Sequence, residues 1–78
     1  MILSPEMRPL ADGTEQLNLE ATSYRELVRR LRERFPALTQ SVFDRTSVAI
    51  DGELIPSPLL EAIGPDSEVV FVTRIAGG

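Results

Sequence analysis

Few side chains of this sequence can do chemistry unaided. Its 78 residues contain no Cys, His, Lys or Trp, and all eight basic residues are Arg. No side chain therefore ordinarily titrates near neutral pH. There is no thiolate nucleophile or soft metal ligand, and no amine for a Schiff base. Carboxylates, hydroxyls, the single Tyr24 and the chain ends remain. These absences argue against a free-standing enzyme, with an aspartate-based one the alternative left open. Glu26 follows Ser23 by three residues, the spacing of a helix cap. Asp66 and Glu68 flank a turn and read as turn residues. The distinctive candidate is the end of the sequence, Arg74-Ile75-Ala76-Gly77-Gly78. Two glycines without Cβ atoms make the thinnest possible peptide, and they cost the most to order. Five residues extend at most about 17 Å. That is enough to carry the Gly78 carboxylate through a narrow channel into another protein's active site.

The elements that must hold such a tail are set by size. A chain of this length makes one domain and buries about 60% of its unfolded surface. With no disulfide, the 42% of apolar residues must supply the stability. The net charge of −4 is uneven. Residues 1–43 hold six acids and six Arg, whereas residues 44–78 hold six acids against Arg45 and Arg74. An acidic chain repels phosphate backbones on average. The Arg cluster from Arg25 to Arg34 reads first as a solvated helix face, so no nucleic-acid partner is expected. No segment approaches the roughly 20 apolar residues of a membrane span, and no leader pattern opens the sequence. The expectation is a soluble, cytoplasmic protein without a membrane partner.

Met1-Ile2-Leu3 reads as a short strand, limited by Pro5 and Pro9. Ala11-Asp12-Gly13-Thr14 signals a turn. Gln16 to Glu20 alternates polar and apolar residues, as a half-buried strand does. The opening is thus a predicted hairpin. Ser23-Tyr24-Arg25-Glu26 has the form of a capping box, with Ser23 accepting from amide 26 and Glu26 reaching back to amide 23. Behind it, Tyr24, Leu27, Val28, Leu31 and Phe35 fall on one helical face, and Pro36 ends the helix. Leu38, Val42 and Phe43 anchor a connection with a short helical turn. Ser47 to Ile50 and Glu53 to Ile55 read as strands joined by Asp51-Gly52, a two-residue turn with φ > 0 at both positions. Pro56 and Pro58 stop the second strand. Leu59 to Ile63 reads as one helical turn, Gly64 to Ser67 as a turn, and Glu68 to Ile75 as the last strand. The predicted order is β-β-α-β-β-β, an α+β domain over residues 1–75 with its one main helix packed on one face of the sheet. Residues 76–78 form a flexible tail.

The last strand is apolar on both faces, yet one long helix can cover only one of them. We assign Val69 and Phe71 to the helix side, leaving Val70 and Val72 outward. Two readings follow for the outward pair. It is a contact patch, or the segment from Leu38 to Phe43 folds over it.

With these elements in order, the sequence resembles the ubiquitin-like β-grasp sulfur carriers, the group that includes the small subunit of molybdopterin synthase and the carriers of thiamine and cysteine biosynthesis. The resemblance covers essentially the whole chain. It rests on Arg8-Pro9-Leu10-Ala11-Asp12-Gly13, Ser23-Tyr24-Arg25-Glu26-Leu27, Arg34-Phe35-Pro36-Ala37-Leu38, Val48-Ala49-Ile50-Asp51-Gly52-Glu53, Asp66-Ser67-Glu68-Val69 and Gly77-Gly78. Thr73-Arg74-Ile75 stands where molybdopterin-type carriers commonly have Pro-Pro-Val, and the Arg-Pro-Leu-Ala stretch looks more like the cysteine-associated carriers.

The resemblance implies a mixed sheet of about five strands. It also implies a carrier that is not itself an enzyme and binds no cofactor. An E1-like adenylating enzyme would use ATP to activate the Gly78 carboxylate, and a sulfur donor would convert it to a thiocarboxylate. A sulfur-accepting synthase of the molybdopterin, thiazole or cysteine type would take the sulfur. Gly77 and Gly78 would carry the reaction, while Ala49, Val70, Val72, Arg74, Ile75 and Ala76 would meet the partners. Arg74 reads alternatively as a solvated charge. The alternative functions are a protein modifier conjugated through Gly78 and a plain β-grasp interaction domain.

Overall fold

The computed structural model describes residues 1–56, 58 and 61–73. The expected tail residues Arg74, Ile75, Ala76, Gly77 and Gly78 lie outside that range, as do Leu59 and Leu60 of the expected helical turn. A 3-10 helix, Arg8–Ala11, comes first. It is followed by α1 (Tyr24–Arg34), α2 (Gln40–Asp44), β1 (Thr46–Ile50), β2 (Glu53–Leu54) and β3 (Val69–Thr73). The three strands form one antiparallel sheet in the order β2-β1-β3.

Helix α1 forms where the apolar spacing places it. The Ser23 side chain accepts a hydrogen bond from the Glu26 amide at 3.2 Å. The other half of the cap is displaced by one residue. Glu26 Oε2 accepts from the Thr22 hydroxyl at 3.0 Å and the Thr22 amide at 3.4 Å, not from Ser23. The backbone flanking Ser23 is meanwhile tied to residues 61–63: Tyr24 N–H donates to Glu61 and Ile63 N–H to Thr22. Tyr24, Leu27, Val28, Leu31 and Phe35 are all buried. The Leu38–Phe43 connection contains α2, whose Val42 and Phe43 join the same core.

The core centres on β3. Phe71 is 2% exposed. Its ring lies 6.0 Å from that of Phe43 in an edge-to-face arrangement and 6.2 Å from that of Tyr24. Edge-to-face and tilted pairs at this separation add to the stabilisation from burial. Val69, Val48 and Ile50 are buried on the same side. Thr46 is the buried polar residue of β1, and its hydroxyl donates to the Val42 carbonyl at 2.7 Å. The β1–β2 turn has the predicted geometry, with φ of 52° at Asp51 and 81° at Gly52. Asp51 also ties this turn to β3, because Glu68 N–H donates to Asp51 Oδ1 at 2.9 Å.

The sheet corrects two expectations. It has three strands among the described residues rather than about five, and the opening hairpin is not a ladder. The N-terminal segment touches the sheet at single bridges: Ile2 pairs parallel with Val70 and antiparallel with Gln16. Ile2 N–H donates to Val69 and Phe71 N–H to Ile2, while Leu3 and Leu17 bond to Glu15 and Met1. The pairing stops on the turn side of Leu3 and Glu15, because the Ser4 carbonyl is taken by the Met7 and Arg8 amides and the chain turns into the 3-10 helix. Residues 16–20 keep the half-buried alternation without its ladder, with Leu17 and Leu19 partly buried and Gln16, Asn18 and Glu20 exposed. The small α+β arrangement, one long helix on one face of an antiparallel sheet, is consistent with a β-grasp.

Removing the central ring should cost far more than altering the opposite face. Phe71→Ala is expected to lose about 3–5 kcal/mol, a large share of the ~4–12 kcal/mol available to a chain of this length. Val70→Thr should lose under about 1 kcal/mol. Urea unfolding distinguishes them. Ser23→Ala should lose about 1 kcal/mol through the cap. The Glu26 carboxyl is held below the usual carboxylate range, chiefly by the Arg30 guanidinium and then by Thr22. A lowered pKa contributes stability that is present above the usual range and lost as pH falls through the lowered value. Glu26→Gln should therefore flatten the decline in stability between neutral and acid pH.

Candidate functional site

Register decides which residues share the uncovered face. Directly opposite residues in a sheet point the same way. Leu54 pairs with Ala49, Ala49 with Val70, and Ile2 with Val70. These four side chains therefore form one row across the sheet, away from α1. Ser47 pairs with Val72 in the next row of the same face. Ile2, Ser47, Ala49, Val70 and Val72 are partly buried. Leu54 is 64% exposed, the large apolar side chain most open to solvent among the described residues.

This removes one of the two readings of the outward valines. Leu38, Val42 and Phe43 are buried in the core against the Phe71 side, so they do not fold over Val70 and Val72. The structure thus brings Ala49, Val70 and Val72 together as the sequence indicates. It adds Leu54 and Ile2, which that reading missed. Leu54 was within reach of counting. A two-residue turn at Asp51-Gly52 makes Ile50 face Glu53 and Ala49 face Leu54, so Leu54 must share the face of Ala49. Ile2 carried no comparable signal, because its neighbour Val70 is 68 positions away in the sequence and pairs through a single parallel bridge.

Strand β3 leads on toward the tail, its last described residue lying on the helix side with Phe71 and not on the Val70–Val72 face. Thr73, exposed at the end of β3, pairs with Thr46 at the start of β1. Arg74, Ile75, Ala76, Gly77 and Gly78, named above as partner-contacting or reactive, lie outside the described residues.

The opposite side of the molecule is charged. Arg29 pairs with Glu33 at 2.7 Å and Arg30 with Glu26 at 3.0 Å, each one helical turn apart. Exposed pairs of this kind contribute little to stability. Arg34 lies over the Phe35 ring at 5.6 Å, and Arg45 reaches Glu6 at 3.6 Å. No group of three acidic residues is placed to hold a metal among the described residues. Tyr24 is not an acid–base group at ordinary pH. Burial, with a smaller contribution from the Asp44 carboxylate, pushes its hydroxyl up from 10.0 to about 12.

A small α+β fold with one helix-covered and one apolar sheet face is consistent with the class of ubiquitin-like β-grasp domains. The sequence profile of the ThiS family matches residues 1–78, and the chain belongs to that family of ubiquitin-like sulfur carriers. Its members are carrier proteins rather than catalysts, acting with an E1-like adenylating enzyme and a sulfur-accepting synthase. Comparison with curated proteins gives no match.

Tyr24 is the only tyrosine, so its ionisation can be followed alone by phenolate absorbance. A raised pKa means the neutral phenol is favoured by the fold. Its contribution to stability is complete below pH 10.0 and is lost as pH rises through about 12. The native titration should centre near 12, and Tyr24→Phe should unfold less readily than the parent at high pH. A midpoint near 10.0 in the folded chain would contradict the burial of the hydroxyl.

Proposed function

We propose that the chain carries sulfur as a thiocarboxylate on Gly78. The observation that carries this reading is the family match, which extends over the entire sequence including Gly77 and Gly78. In the proposed sequence, an E1-like enzyme binds the carrier and ATP. A carboxylate oxygen of Gly78 attacks the α-phosphorus, a phosphoanhydride bond breaks, and pyrophosphate leaves. The product is an acyl-adenylate. A sulfur nucleophile from the donor then attacks the carbonyl carbon and expels AMP. Where the donor brings a persulfide, a second thiol attacks the donor's own sulfur in the resulting acyl disulfide, forms a disulfide with the donor and releases the C-terminal thiocarboxylate. Where it brings sulfide, loss of a proton from the thioacid gives the same product.

The carbonyl needs no residue of the carrier for this, only a good leaving group. That accounts for a sulfur carrier with no Cys, His or Lys. ATP is held by the partner, and the carrier itself holds no cofactor. Consumption of ATP makes the cytoplasm the proposed compartment. The acceptor is proposed as a synthase of cofactor or amino-acid biosynthesis.

Under this reading the Leu54–Ala49–Val70–Ile2 row, with Val72, is the recognition surface. Apolar side chains that are central in an interface and lose water on docking carry most of its energy. Arg74 extends the contact as a planar two-point donor to a carboxylate of the partner. Ile75 and Ala76 follow it into the partner's channel, and Gly77 and Gly78 pass the narrowest part.

Intact-mass measurement after incubation with the cognate activating enzyme, ATP and a sulfur source tests the chemistry. One oxygen-for-sulfur exchange at the C-terminus is expected. An unchanged mass with a demonstrably active enzyme contradicts the proposal. Leu54→Glu and Val70→Glu should reduce the rate of that exchange about tenfold or more. Their urea midpoints should stay near the parent's, separating lost docking from lost fold.

A further inference from the structure

The uncovered sheet face is apolar along its middle and acidic at one end. The β1–β3 register continues one step past Ala49 and Val70. Asp51 N–H donates to the Glu68 carbonyl at 2.8 Å, and Glu68 N–H donates to Asp51 Oδ1 at 2.9 Å. Val69 is buried, so alternation turns Glu68 to the side of Val70. Asp51 and Glu68 are both exposed. They close the apolar row on the side away from Val72. Along β3, at about 3.4 Å per residue, Glu68 and Val72 stand about 14 Å apart.

No cation of the chain answers this pair. Neither carboxylate has an Arg or the N-terminal amine within 4.0 Å among the described residues. From Asp44 to Thr73 the sequence holds six acids and one base, Arg45. Arg45 is turned toward Glu6 at 3.6 Å. Five other Arg residues lie on α1, which packs on the covered face, and Arg8 belongs to the 3-10 helix. The face therefore offers a partner apolar surface together with negative charge at a single edge.

We propose that the protein docking on this face presents an apolar patch bordered at one edge by Arg or Lys side chains, which pair with Asp51 and Glu68. The inference rests on the reading above, in which this face is where the activating enzyme binds. An apolar row alone gives a contact little sense of direction. Charge at one end supplies it. Docked one way round, the two carboxylates meet the partner's cations; docked in reverse, they face its apolar edge and lose water without a partner. The favoured orientation sets the Thr73 end of β3 at the opposite edge of the contact. Charges at the rim of an interface act chiefly on the rate of encounter and on its salt dependence.

The test is stopped-flow binding of the carrier to the cognate activating enzyme, without ATP, at low and high salt. Asp51→Asn with Glu68→Gln removes both charges. Asn keeps the Oδ1 acceptor and tolerates the φ of 52° at this position. Glu68→Gln alone leaves every hydrogen bond of the turn in place. The control, Glu33→Gln with Asp44→Asn, removes the same charge from exposed positions on the helix side. The double variant should associate about tenfold more slowly than the parent, and Glu68→Gln alone about threefold. These differences hold at about 0.02 M salt and should largely vanish at about 0.5 M, where screening is strong. A parental rate for the double variant at low salt, or a control slowed as much, would overturn the proposal. Intact mass after addition of ATP and a sulfur source separates the two readings. Salt-dependent binding through Asp51 and Glu68 with no mass change leaves the docking edge standing and contradicts the carrier function. Sulfur incorporation by the double variant at the parent's rate, at low salt and subsaturating carrier, does the reverse.

Discussion

The structure depends on a shortage of cover. Strand β3 is apolar on both faces, and the chain has one long helix to lay against it. Phe71 draws that helix to one side. Its ring meets Tyr24 from α1 and Phe43 from α2, and Val48, Ile50 and Val69 fill the rest of the layer. α2 joins the same layer, so nothing from the Leu38–Phe43 segment is left for the other face. Ala49, Val70, Val72 and Leu54 remain where water reaches them. In a chain without disulfides the core cannot be spared, and the uncovered face follows from where the core is spent.

That asymmetry divides the labour of the molecule. The helix side holds the fold together and carries the Arg residues of α1, of which Arg29 and Arg30 are paired along the helix. The open sheet side is apolar and lies on the strand that runs into the Gly-Gly end. Recognition and delivery are therefore joined through a single element: a partner that grips Val70 and Val72 also fixes where Thr73 points. In the proposed function, a chain devoid of ordinary catalytic side chains would take part in acyl chemistry by contributing position and an end group, with its partners contributing reactivity.

Patterns of short range were legible in the sequence. The 3.6-residue spacing from Tyr24 to Phe35 located α1 within a residue, and Asp51-Gly52 announced a turn whose backbone has the required positive φ values. Alternation in Val69-Val70-Phe71-Val72 sorted the two faces, since a strand with one helix above it leaves no other choice. Long-range pairing was not legible. Ile2 meets Val70 through one parallel bridge, and no local pattern marks such a contact. The opening hairpin was overestimated because alternation at Gln16–Glu20 reports burial, whereas a ladder also needs an unbroken partner. The first segment turns away at Ser4, whose carbonyl accepts from the Met7 and Arg8 amides. The Glu26 cap was placed one residue off, since the flanking backbone is engaged by residues 61–63, a contact visible only in three dimensions.

The central claim is that the open sheet face is where the activating enzyme grips the carrier. The most direct measurement is methyl NMR of the carrier as the unlabelled cognate enzyme is added with ATP. The methyl signals of Leu54, Val70 and Val72 should broaden or shift together, at lower enzyme concentration than those of Val28 and Leu31 in the core. Activation of the tail with the Leu54, Val70 and Val72 signals unperturbed would contradict the account.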